Sequence, residues 1–307
     1  MTKRAFSIGT DPEFFLKKDE GGQLISAIPH INGTKEEPAP LPNGGNIQRD
    51  NVAVEFATDP AMDKDDFVGK IQQTFKDVLT QIPAGHSLAA LPSAVFDPKE
   101  LDHPEAKRFG CDPDYDAWKM RENEPPCVQD KCFRSCGAHI HVGHVEGSGN
   151  EFLLEFPGMV AMVKTMDCMH GVLSTILDSS KEAISRRKLY GKAGSHRPKP
   201  EYGVEYRVLS NYWLKSPVTV MLMYSLTQDA LKVVREGKHD ELIASIGENQ
   251  IQNVINNGLV DEATKILEKY VMQHLSEDSV HYFNEALAKI KNDDMHLTKE
   301  WELEEKA

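Results

Sequence analysis

The chain has 307 residues, of which 40% are hydrophobic and 27% charged, and its formal net charge is −13 at pH 7. These values are typical of a globular protein with one large domain or two smaller ones, and the acidic balance argues against a nucleic-acid-binding surface. The opening residues lack the apolar stretch of a signal peptide, and the most apolar later run, residues 152–177, is interrupted by charges and therefore predicts a buried helix instead of a transmembrane one.

The N-terminal part is predicted to consist of short strands and loops. Strand-like alternation runs over residues 5–16, where a turn interrupts it, and the prolines and glycines of residues 32–46 predict a loop. Apolar residues at helical spacing predict an amphipathic helix over residues 62–81. The other segments of this part are predicted as strands over residues 23–28, 51–58 and 87–95 and as an extended loop over residues 97–126.

Longer elements are predicted in the middle and C-terminal parts. The middle part reads as a strand over residues 131–145, a helix over residues 151–181, a basic loop, and a strand over residues 202–209. Glycine and proline become scarce after Pro217, where helical periodicity predicts helices over residues 218–235, 240–256, 261–275 and 278–291. Strands joined by long excursions, with helices on one side, predict an α+β fold.

Two segments of the N-terminal part place carboxylates on one face of a strand. In GTDPEF, Asp11 and Glu13 are two residues apart and therefore point to the same side. Adjacent carboxylates repel each other unless a divalent cation lies between them, although a solvated strand end is an equal alternative. In RDNVAVEFATDP, Glu55 lies among small apolar neighbours, with an exposed edge position as the alternative.

A third segment, FRSCGAHIHVGH, pairs two histidines. His139 and His141 share one strand face and are flanked by Gly137 and Gly143, which let backbone or substrate approach closely. Neutral imidazole binds metals, and alternate positions put both rings within reach of one cation, or of one cation and one phosphate. A structural role for both histidines is the alternative.

The fourth segment, YGVEYRVLSNYW, places Glu205 and Arg207 on one face, with a salt bridge on a solvated sheet as the alternative. Just upstream, SRRKLYGKAGSHRPKP is a dense basic cluster that contains Arg186 and Arg197. Guanidinium groups suit phosphate oxygens, so this loop is a candidate clamp for an anionic substrate, and a solvated charged loop is the alternative.

Together, the four segments predict one cation site. Acid-x-acid, acid, His-x-His and Glu-x-Arg occur in this order on successive predicted strands. Oxygen ligands dominate the set, which favours Mg²⁺ or Mn²⁺ over Zn²⁺.

This ordered pattern resembles the glutamine synthetase and glutamate–cysteine ligase superfamily, and within it the phage-associated carboxylate–amine ligase (amidoligase) type 2 family. The resemblance covers residues 5–215 and rests on GTDPEFF, QRDNVAVEF, GAHIHVG and GVEYRVLSNYW. It implies a glutamine synthetase-like curved antiparallel sheet with flanking helices. Residues 1–215 are then the catalytic domain, and residues 216–307 a helical region packed on it.

The resemblance also implies roles for individual residues. The implied metal ligands are Asp11, Glu13, Glu55, His139 and Glu205, with Asp50 as an alternative to Glu55. His141 is implied beside the nucleotide, and Arg207 at the transferred phosphoryl group. Arg186 and Arg197 are implied to hold nucleotide phosphates or the substrate carboxylate. The implied catalytic residues are Arg207, Glu55 and Arg197.

What the resemblance implies for activity is an ATP- and Mg²⁺- or Mn²⁺-dependent ligase that forms an amide bond through an acyl phosphate. Small-molecule or peptide carboxylates and amines are the expected substrates, with neither nucleic acid nor membrane as a partner and with room for a homo-oligomer. A cytoplasmic location is expected, in the host cytoplasm if the chain is phage-encoded. The sequence fixes neither the acid nor the amine.

Other functions stay open at this point. The His-x-His pair is compatible with a metal-dependent hydrolase, the fold with a guanidino phosphotransferase, and the C-terminal helices with a non-catalytic binding protein. Three cysteines lie close together, Cys127, Cys132 and Cys136, with Cys111 upstream, but they lack the spacing of a zinc site, so we expect small buried thiols. Asp167, within the apolar run, is compatible with a buried functional position and with a solvent-facing one.

Overall fold

Short antiparallel strands make up much of the chain as far as Tyr206. The structure is a computed structural model that describes residues 6–108, 113–125 and 129–303. The strands are β1 (Ser7–Thr10), β2 (Glu13–Lys18), β3 (Leu24–Ile25), β4 (Ala39–Pro40), β5 (Asn46–Asp50), β6 (Ala53–Ala57), β7 (His86–Ala89), β8 (Ser93–Val95), β9 (Tyr115–Asp116), β10 (Arg121–Glu122), β11 (Phe133–Ser135), β12 (Ile140–Gly143), β13 (Ser195–Lys199) and β14 (Gly203–Tyr206).

Two six-stranded sheets and one two-stranded sheet are built from these strands. The first sheet has the order β1-β12-β14-β13-β9-β10, and the second has the order β3-β2-β6-β5-β4 with β7 also paired to β2. Strands β8 and β11 form the small third sheet. Every pairing is antiparallel.

Helices supply most of the second half. The α-helices are α1 (Lys64–Gln81), α2 (Phe156–Met166), α3 (Val172–Leu177), α4 (Lys181–Arg187), α5 (Pro217–Arg235), α6 (His239–Ile246), α7 (Glu248–Asn257), α8 (Val260–Ile266), α9 (Glu277–Lys291) and α10 (Leu297–Glu300). Within the described residues, no helix is both long enough and apolar enough to cross a membrane.

Apolar and polar side chains alternate along the strands, so the first sheet has an apolar core face and a polar face. We call the polar face the site face. On β12 and β14 the apolar side chains Ile140, Val142 and Val204 are fully buried against the helices. The residues between them, including His141 and Glu205, therefore point to the opposite face. Helix α5 packs on this core together with α1 and α2, so the helical second half covers the back of the first sheet.

One continuous segment joins the two large sheets. Strand β1 ends at Thr10, the chain passes through Asp11 and Pro12, and β2 begins at Glu13. The N–H of Glu13 donates to the carbonyl of Gly137 at 2.9 Å, so the pairing between the segments of β1 and β12 continues beyond β1. The acid-x-acid segment thus lies where the first sheet meets the second.

The predicted α+β class, with antiparallel sheet and flanking helices, is confirmed. Several predicted elements are correct in kind, and their bounds change only slightly. The turn within residues 5–16 is the Asp11–Pro12 crossing, and the helices predicted over residues 62–81, 218–235 and 278–291 are α1, α5 and α9.

Other predicted elements are wrong in extent. The single strand over residues 131–145 is two strands in different sheets, β11 and β12, because the backbone leaves the ladder around Gly137. The basic segment is a loop only over residues 188–194, since Arg186 lies in α4 and Arg197 in β13. Helix 240–256 is broken at Gly247, whose φ of 99° no helix interior adopts. Strand β5 and the β9–β10 hairpin were not predicted.

The cysteine prediction falls partly on the described residues. Cys136 and Cys168 are fully buried and Cys132 is half-buried, all three as free thiols, as expected for small buried side chains. Cys111 and Cys127 lie outside the described residues. The division at residue 215 stays a prediction.

Asp167 is a fully buried carboxylate behind the first sheet. It begins a π-helical turn, Asp167–Gly171, between α2 and α3. Nε1 of Trp118 donates to its Oδ2 at 2.7 Å, and the hydroxyl of Tyr206 donates to its Oδ1 at 2.7 Å. Burial raises the pKa of Asp167 to about 7, although these two hydrogen bonds oppose the shift. The solvent-facing alternative is therefore wrong.

We expect Asp167 to destabilise the folded protein as pH rises. Its folded pKa lies above the unfolded value, so its contribution to stability is complete at low pH and is lost as pH rises through about 7. Relative to Asp167→Asn, the wild-type free energy of unfolding should fall by roughly 2 to 3 kcal/mol between pH 5 and pH 7.5. Urea unfolding of both proteins at the two pH values measures this difference, and a pH-independent difference contradicts it.

Candidate metal centre

Asp11, His141 and Glu205 converge on the site face of the first sheet. His141 pairs across the sheet with Gly9 of β1 on one side and with Glu205 of β14 on the other. Oδ1 of Asp11 lies 3.4 Å from Nε2 of His141 and 3.0 Å from Nδ1 of His139. One ligand atom from each of Asp11, His141 and Glu205 lies within 4.8 Å of the others, so these residues can share one cation. We call them the first cluster.

Glu13, Asp50 and Glu55 form a second cluster on the second sheet. Glu13 pairs with Glu55 across β2 and β6, and Asp50 ends the neighbouring strand β5. Their ligand oxygens also lie within 4.8 Å of one another. The Gly137 N–H donates to Oε2 of Glu13 at 2.7 Å, and Nε2 of Gln48 donates to Oε2 of Glu55 at 2.7 Å. These bonds hold both glutamates in fixed orientations.

Cationic side chains surround Glu205, which is only 1% exposed. Nη1 of Arg207 donates a short hydrogen bond to its Oε1, and Nη1 of Arg197 lies 3.3 Å from the same oxygen. Nζ of Lys199 lies 3.4 Å from Oε2. Three positive groups therefore compensate for the desolvation of one buried carboxylate.

Protonation is favoured in the second cluster. Burial, reinforced by the charge of Asp50, raises the pKa of Glu13 to about 8. Burial raises the pKa of Glu55 well above its usual range, and the charges of Asp50 and Asp11 add to this. Repulsion among the carboxylates of the second cluster is thus relieved by bound protons, and a divalent cation can replace those protons.

The first cluster has the opposite tendency. Burial alone would raise the pKa of Asp11, but the charges of His139 and His141 hold it well below its usual range. The pKa of Glu205 is lowered as well, because Arg207 and the two histidines outweigh burial and the repulsion of Asp11. Burial lowers the pKa of His139, with Arg207 adding to it, whereas Asp11 outweighs burial and raises the pKa of His141.

Residues of the two clusters line two cavities, and we call the region that the clusters occupy the wall. The larger cavity has a volume of about 450 Å³ and is lined by Gly9, Thr58 and Tyr202, with Asp11 and Glu55 at the wall. The smaller cavity, of about 110 Å³, has Glu13, Asp50 and His139 at the wall. Four arginines also line it, Arg108, Arg134, Arg186 and Arg207, and we call it the arginine cavity.

Arg186 is built into the arginine cavity. Its side chain is 2% exposed, and its Nη1 donates to the carbonyl of Val208 at 2.9 Å. A Cβ at Gly137 would lie 2.7 Å from Nη2, and one at Gly191 would lie 2.0 Å from Nη1. Both glycines are therefore needed to leave room for the guanidinium. Burial lowers the pKa of Arg186 to about 10, at which the group is still charged at neutral pH.

The structure gathers the residues singled out from the sequence, and their roles stay predictions. Asp50 and Glu55 both lie beside Glu13, and the choice between them as metal ligand stays a prediction. Arg197 lies at Glu205, whereas Arg186 lies in the arginine cavity.

The sequence reasoning missed Gln48 and Tyr202 beside the clusters, and Arg108 and Arg134 in the arginine cavity. Gln48 had a signal, because it is two residues from Asp50 on the same strand, whereas Lys199, at Glu205, belongs to the basic segment that the sequence singled out. Tyr202 had none that we can identify.

The donor set fits a hard divalent cation. Carboxylate oxygens dominate both clusters, as Mg²⁺ and Mn²⁺ prefer. In addition, Oδ1 of Asp11 is buried and has no aligned hydrogen-bond donor among the described residues. A cation at the first cluster would satisfy this atom.

A model of the phage phiEco32-like COOH.NH2 ligase-type 2 family matches residues 131–301. The matched segment is more than half of the chain and contains His139, His141, Glu205 and Arg207. A search of curated protein sequences finds no match.

Three solved structures align with the chain at low identity. A bifunctional glutathione synthetase from Pasteurella multocida is 12% identical, with 98% of this chain and 48% of that chain covered and a TM-score of 0.46. A glutamine synthase homologue is 11% identical, with coverage of 91% and 71% and a TM-score of 0.36. The third is the complex between the prokaryotic ubiquitin-like protein Pup and its ligase PafA. It is 11% identical, with 95% of this chain and 65% of that chain covered and a TM-score of 0.38. The chain spans about half the length of the Pasteurella chain.

Mg²⁺ or Mn²⁺ should stabilise the protein more at pH 8.5 than at pH 6. Without a cation, the contribution of Glu13 to stability is lost as pH rises from 4.5 through about 8, because its folded pKa is raised. A cation bound to the ionised group restores that loss, and at pH 6 it must first displace a proton. Thermal unfolding with and without the cation at the two pH values measures the effect.

Glu13→Gln is the matched control, since it keeps the shape of the side chain but cannot ionise. The variant should show a smaller increase in Tm on adding the cation and a weaker dependence of that increase on pH. An equal increase in Tm at pH 6 and pH 8.5 in the wild-type protein contradicts the proposed role of the second cluster.

Proposed function

Because this chain belongs to the phage phiEco32-like COOH.NH2 ligase-type 2 family, we propose that it uses ATP to join a carboxylate to an amine at the wall between the two cavities. Family membership confirms the resemblance inferred from the sequence and the enzyme class, a carbon–nitrogen ligase. The observation that carries the proposal is the pair of carboxylate clusters between one large cavity and one arginine-lined cavity.

The larger cavity suits the nucleotide. Its volume of about 450 Å³ lies within the usual range for ligand sites, roughly 300–1,000 Å³. His141 and Tyr202 line it next to the bare backbone of Gly9 and Gly143, which leaves a flat surface near the clusters. A nucleotide that lies there directs its terminal phosphate towards Asp11 and Glu55.

The arginine cavity suits the acid substrate. Arg186 and Arg207 provide positive charge at its base, and Phe133, Leu189 and Tyr190 provide apolar contacts. A carboxylate held by these guanidinium groups faces Glu13 and His139, on the opposite side of the wall from the phosphate. The wall is then the place where phosphate and carboxylate meet.

Divalent cations at the two clusters, when bound, neutralise the charge of the phosphate oxygens and hold the phosphoryl group in line. Asp11, His141 and Glu205 would hold one of them, and Glu13, Asp50 and Glu55 the other. The carboxylate clusters thereby supply the negative charge that fixes the cations, and the arginines supply positive charge to the reacting anions.

In the first half-reaction, a carboxylate oxygen of the acid attacks the γ-phosphorus of ATP. The bond from that phosphorus to the β–γ bridging oxygen breaks, which gives ADP and an acyl phosphate. Arg207 lies next to Glu205 and lines the arginine cavity, so it is placed to contact the transferred phosphoryl group. Arg197, at the same carboxylate, supports its position.

In the second half-reaction, the amine attacks the acyl carbon and inorganic phosphate leaves. The nitrogen must lose one proton as the amide forms, and a carboxylate of the site accepts it. A cytoplasmic location and a homo-oligomer stay predictions.

The proposal predicts ADP release that requires a divalent cation, an acid and an amine together. We would incubate the chain with ATP, Mg²⁺ and pools of small carboxylates and amines, and follow ADP. Glu13→Gln should lower the rate by at least about 100-fold, because it removes charge that is needed to hold a cation in the transition state. Absence of ATP binding at millimolar ATP and Mg²⁺, measured by calorimetry, contradicts the proposal.

In the same assay, Arg186→Gln distinguishes the proposed roles of the two cavities. It should raise the KM of the acid by about 10-fold or more while the affinity for ADP changes little, because a charge-assisted bond to the carboxylate is lost. Lys188→Gln, an exposed position in the same basic segment, is the matched control. An equal loss of ADP affinity in Arg186→Gln contradicts the assignment of the arginine cavity to the acid.

A further inference from the structure

Asn211 is a fully buried residue whose side chain binds the backbone of a cluster residue. It begins a short 3₁₀ helix, Asn211–Lys215, at the end of the segment YGVEYRVLSNYW. Its Nδ2 donates to the carbonyl of Glu13 at 2.8 Å and to the carbonyl of Leu91 at 3.2 Å. A flipped amide would place Oδ1 against both carbonyls, so these two bonds fix the orientation of the side chain.

The amide of Asn211 fills a gap along one edge of β2. The N–H and C=O of a strand residue point to the same side, and on this side the N–H of Glu13 donates to the carbonyl of Gly137 at 2.9 Å. Two residues further on, Phe15 pairs with Ala89 of β7 along the same edge. The side chain of Asn211 therefore lies between two successive neighbours of β2 and supplies the donor that the Glu13 carbonyl needs.

The residues on either side of this asparagine bind the backbone that leads into β12. Ser210 forms an isolated antiparallel bridge with Gly137. Trp213 is fully buried, and its Nε1 donates to the carbonyl of Ala138 at 3.2 Å. The segment 210–213 therefore contacts the start of the strand that carries a residue of the first cluster, and it also contacts the backbone of a residue of the second cluster.

Glu13 needs such support because its carboxylate lies among like charges. Its ligand oxygen lies within 4.8 Å of those of Asp50 and Glu55, whose repulsion acts to move the carboxylate away from them. The N–H of Gly137 holds the carboxylate at 2.7 Å, and the amide of Asn211 holds the backbone that carries it. Loss of the amide frees that backbone to shift under the repulsion.

We propose that Asn211 is a positioning residue that fixes Glu13 relative to β12 and thereby sets the spacing of the two clusters. The inference rests on the proposed function only in that each cluster takes up a divalent cation. Asn211 acts through the backbone of Glu13, and the two N–H groups of its amide are the essential part.

Mn²⁺ binding to the full chain, followed by calorimetry and electron paramagnetic resonance, tests this role. Asn211→Leu keeps the approximate volume of the side chain but removes both donors. The second-cluster ion should therefore bind about 10- to 100-fold more weakly, with the first-cluster ion unchanged. At saturating Mn²⁺ the spin coupling between the two ions should also be weaker than in the wild-type protein, because their separation is no longer fixed. Glu13→Gln identifies the second-cluster ion, since it removes a ligand charge.

A second variant and a matched control separate this role from a general loss of stability. Asn211→Ala leaves room for water to bind both carbonyls, so it should fold and should weaken the second-cluster ion less than Asn211→Leu does. Thr227→Val is the control, because it removes a buried hydroxyl of α5 that donates to the carbonyl of Met223 at 2.8 Å and contacts Nε2 of His170 at 3.0 Å. It should bind both ions as the wild-type protein does.

Three results overturn the inference. The first is an unchanged second-cluster affinity together with an unchanged spin coupling in the variants of Asn211 that fold. The second is equal weakening of both ions, and the third is loss of the second-cluster ion in Thr227→Val. Each of the last two indicates a general loosening of the fold instead of a displacement of Glu13.

Failure of the inference is distinguishable from failure of the proposed function. A wild-type protein that binds two Mn²⁺ ions but releases no ADP with any acid and amine contradicts the ligase mechanism and leaves the role of Asn211 intact. A wild-type protein that releases ADP, with the Asn211 variants binding both ions normally, contradicts only the role of Asn211. A wild-type protein that binds fewer than two Mn²⁺ ions overturns the inference, whatever its activity.

Discussion

Repulsion among carboxylates is the constraint on which the rest of the site depends. Asp11, Glu13, Asp50, Glu55 and Glu205 come together where the two large sheets meet, and each is at least partly withdrawn from water. Buried like charges are costly unless they bind protons, cations or positive side chains. The protein uses two of these solutions, arginines and histidines in the first cluster and raised pKa values in the second. Divalent cations are the third, and the donor atoms suit them.

The fold holds these groups in place against their repulsion. The core face of β12 and β14 is packed with apolar side chains under the helices, so the strands cannot rotate to release the charged residues into solvent. Gly137 contributes twice, because its N–H binds Glu13 and its missing Cβ leaves room for Arg186. At Asp11 and Pro12 the chain passes directly from β1 of the first sheet to β2 of the second sheet. The two carboxylate clusters can therefore lie side by side, next to the two cavities.

The sequence was sufficient to predict which side chains share a strand face, but not which strands lie next to each other in the sheet. The period of two predicted that His139 and His141 share a face, as do Glu205 and Arg207, and the structure confirms both pairs. Strand order is set by long-range packing, so nothing local indicated that His141 pairs with Glu205 or that Arg197 lies beside it. The start of the basic segment was misjudged as a loop because Arg186 is buried in α4, with its guanidinium against Gly137 and Gly191, which composition does not reveal.

The most direct test of the account is a crystal structure with Mn²⁺ and a non-hydrolysable ATP analogue, in which anomalous scattering locates the manganese. The account predicts two manganese peaks, one bounded by Asp11 and Glu205 and one bounded by Glu13 and Glu55, with the base of the analogue in the larger cavity and its terminal phosphate at the wall. Manganese at neither cluster, or an analogue bound away from both cavities, contradicts the central claim that the buried carboxylates exist to hold cations between a nucleotide and an acid.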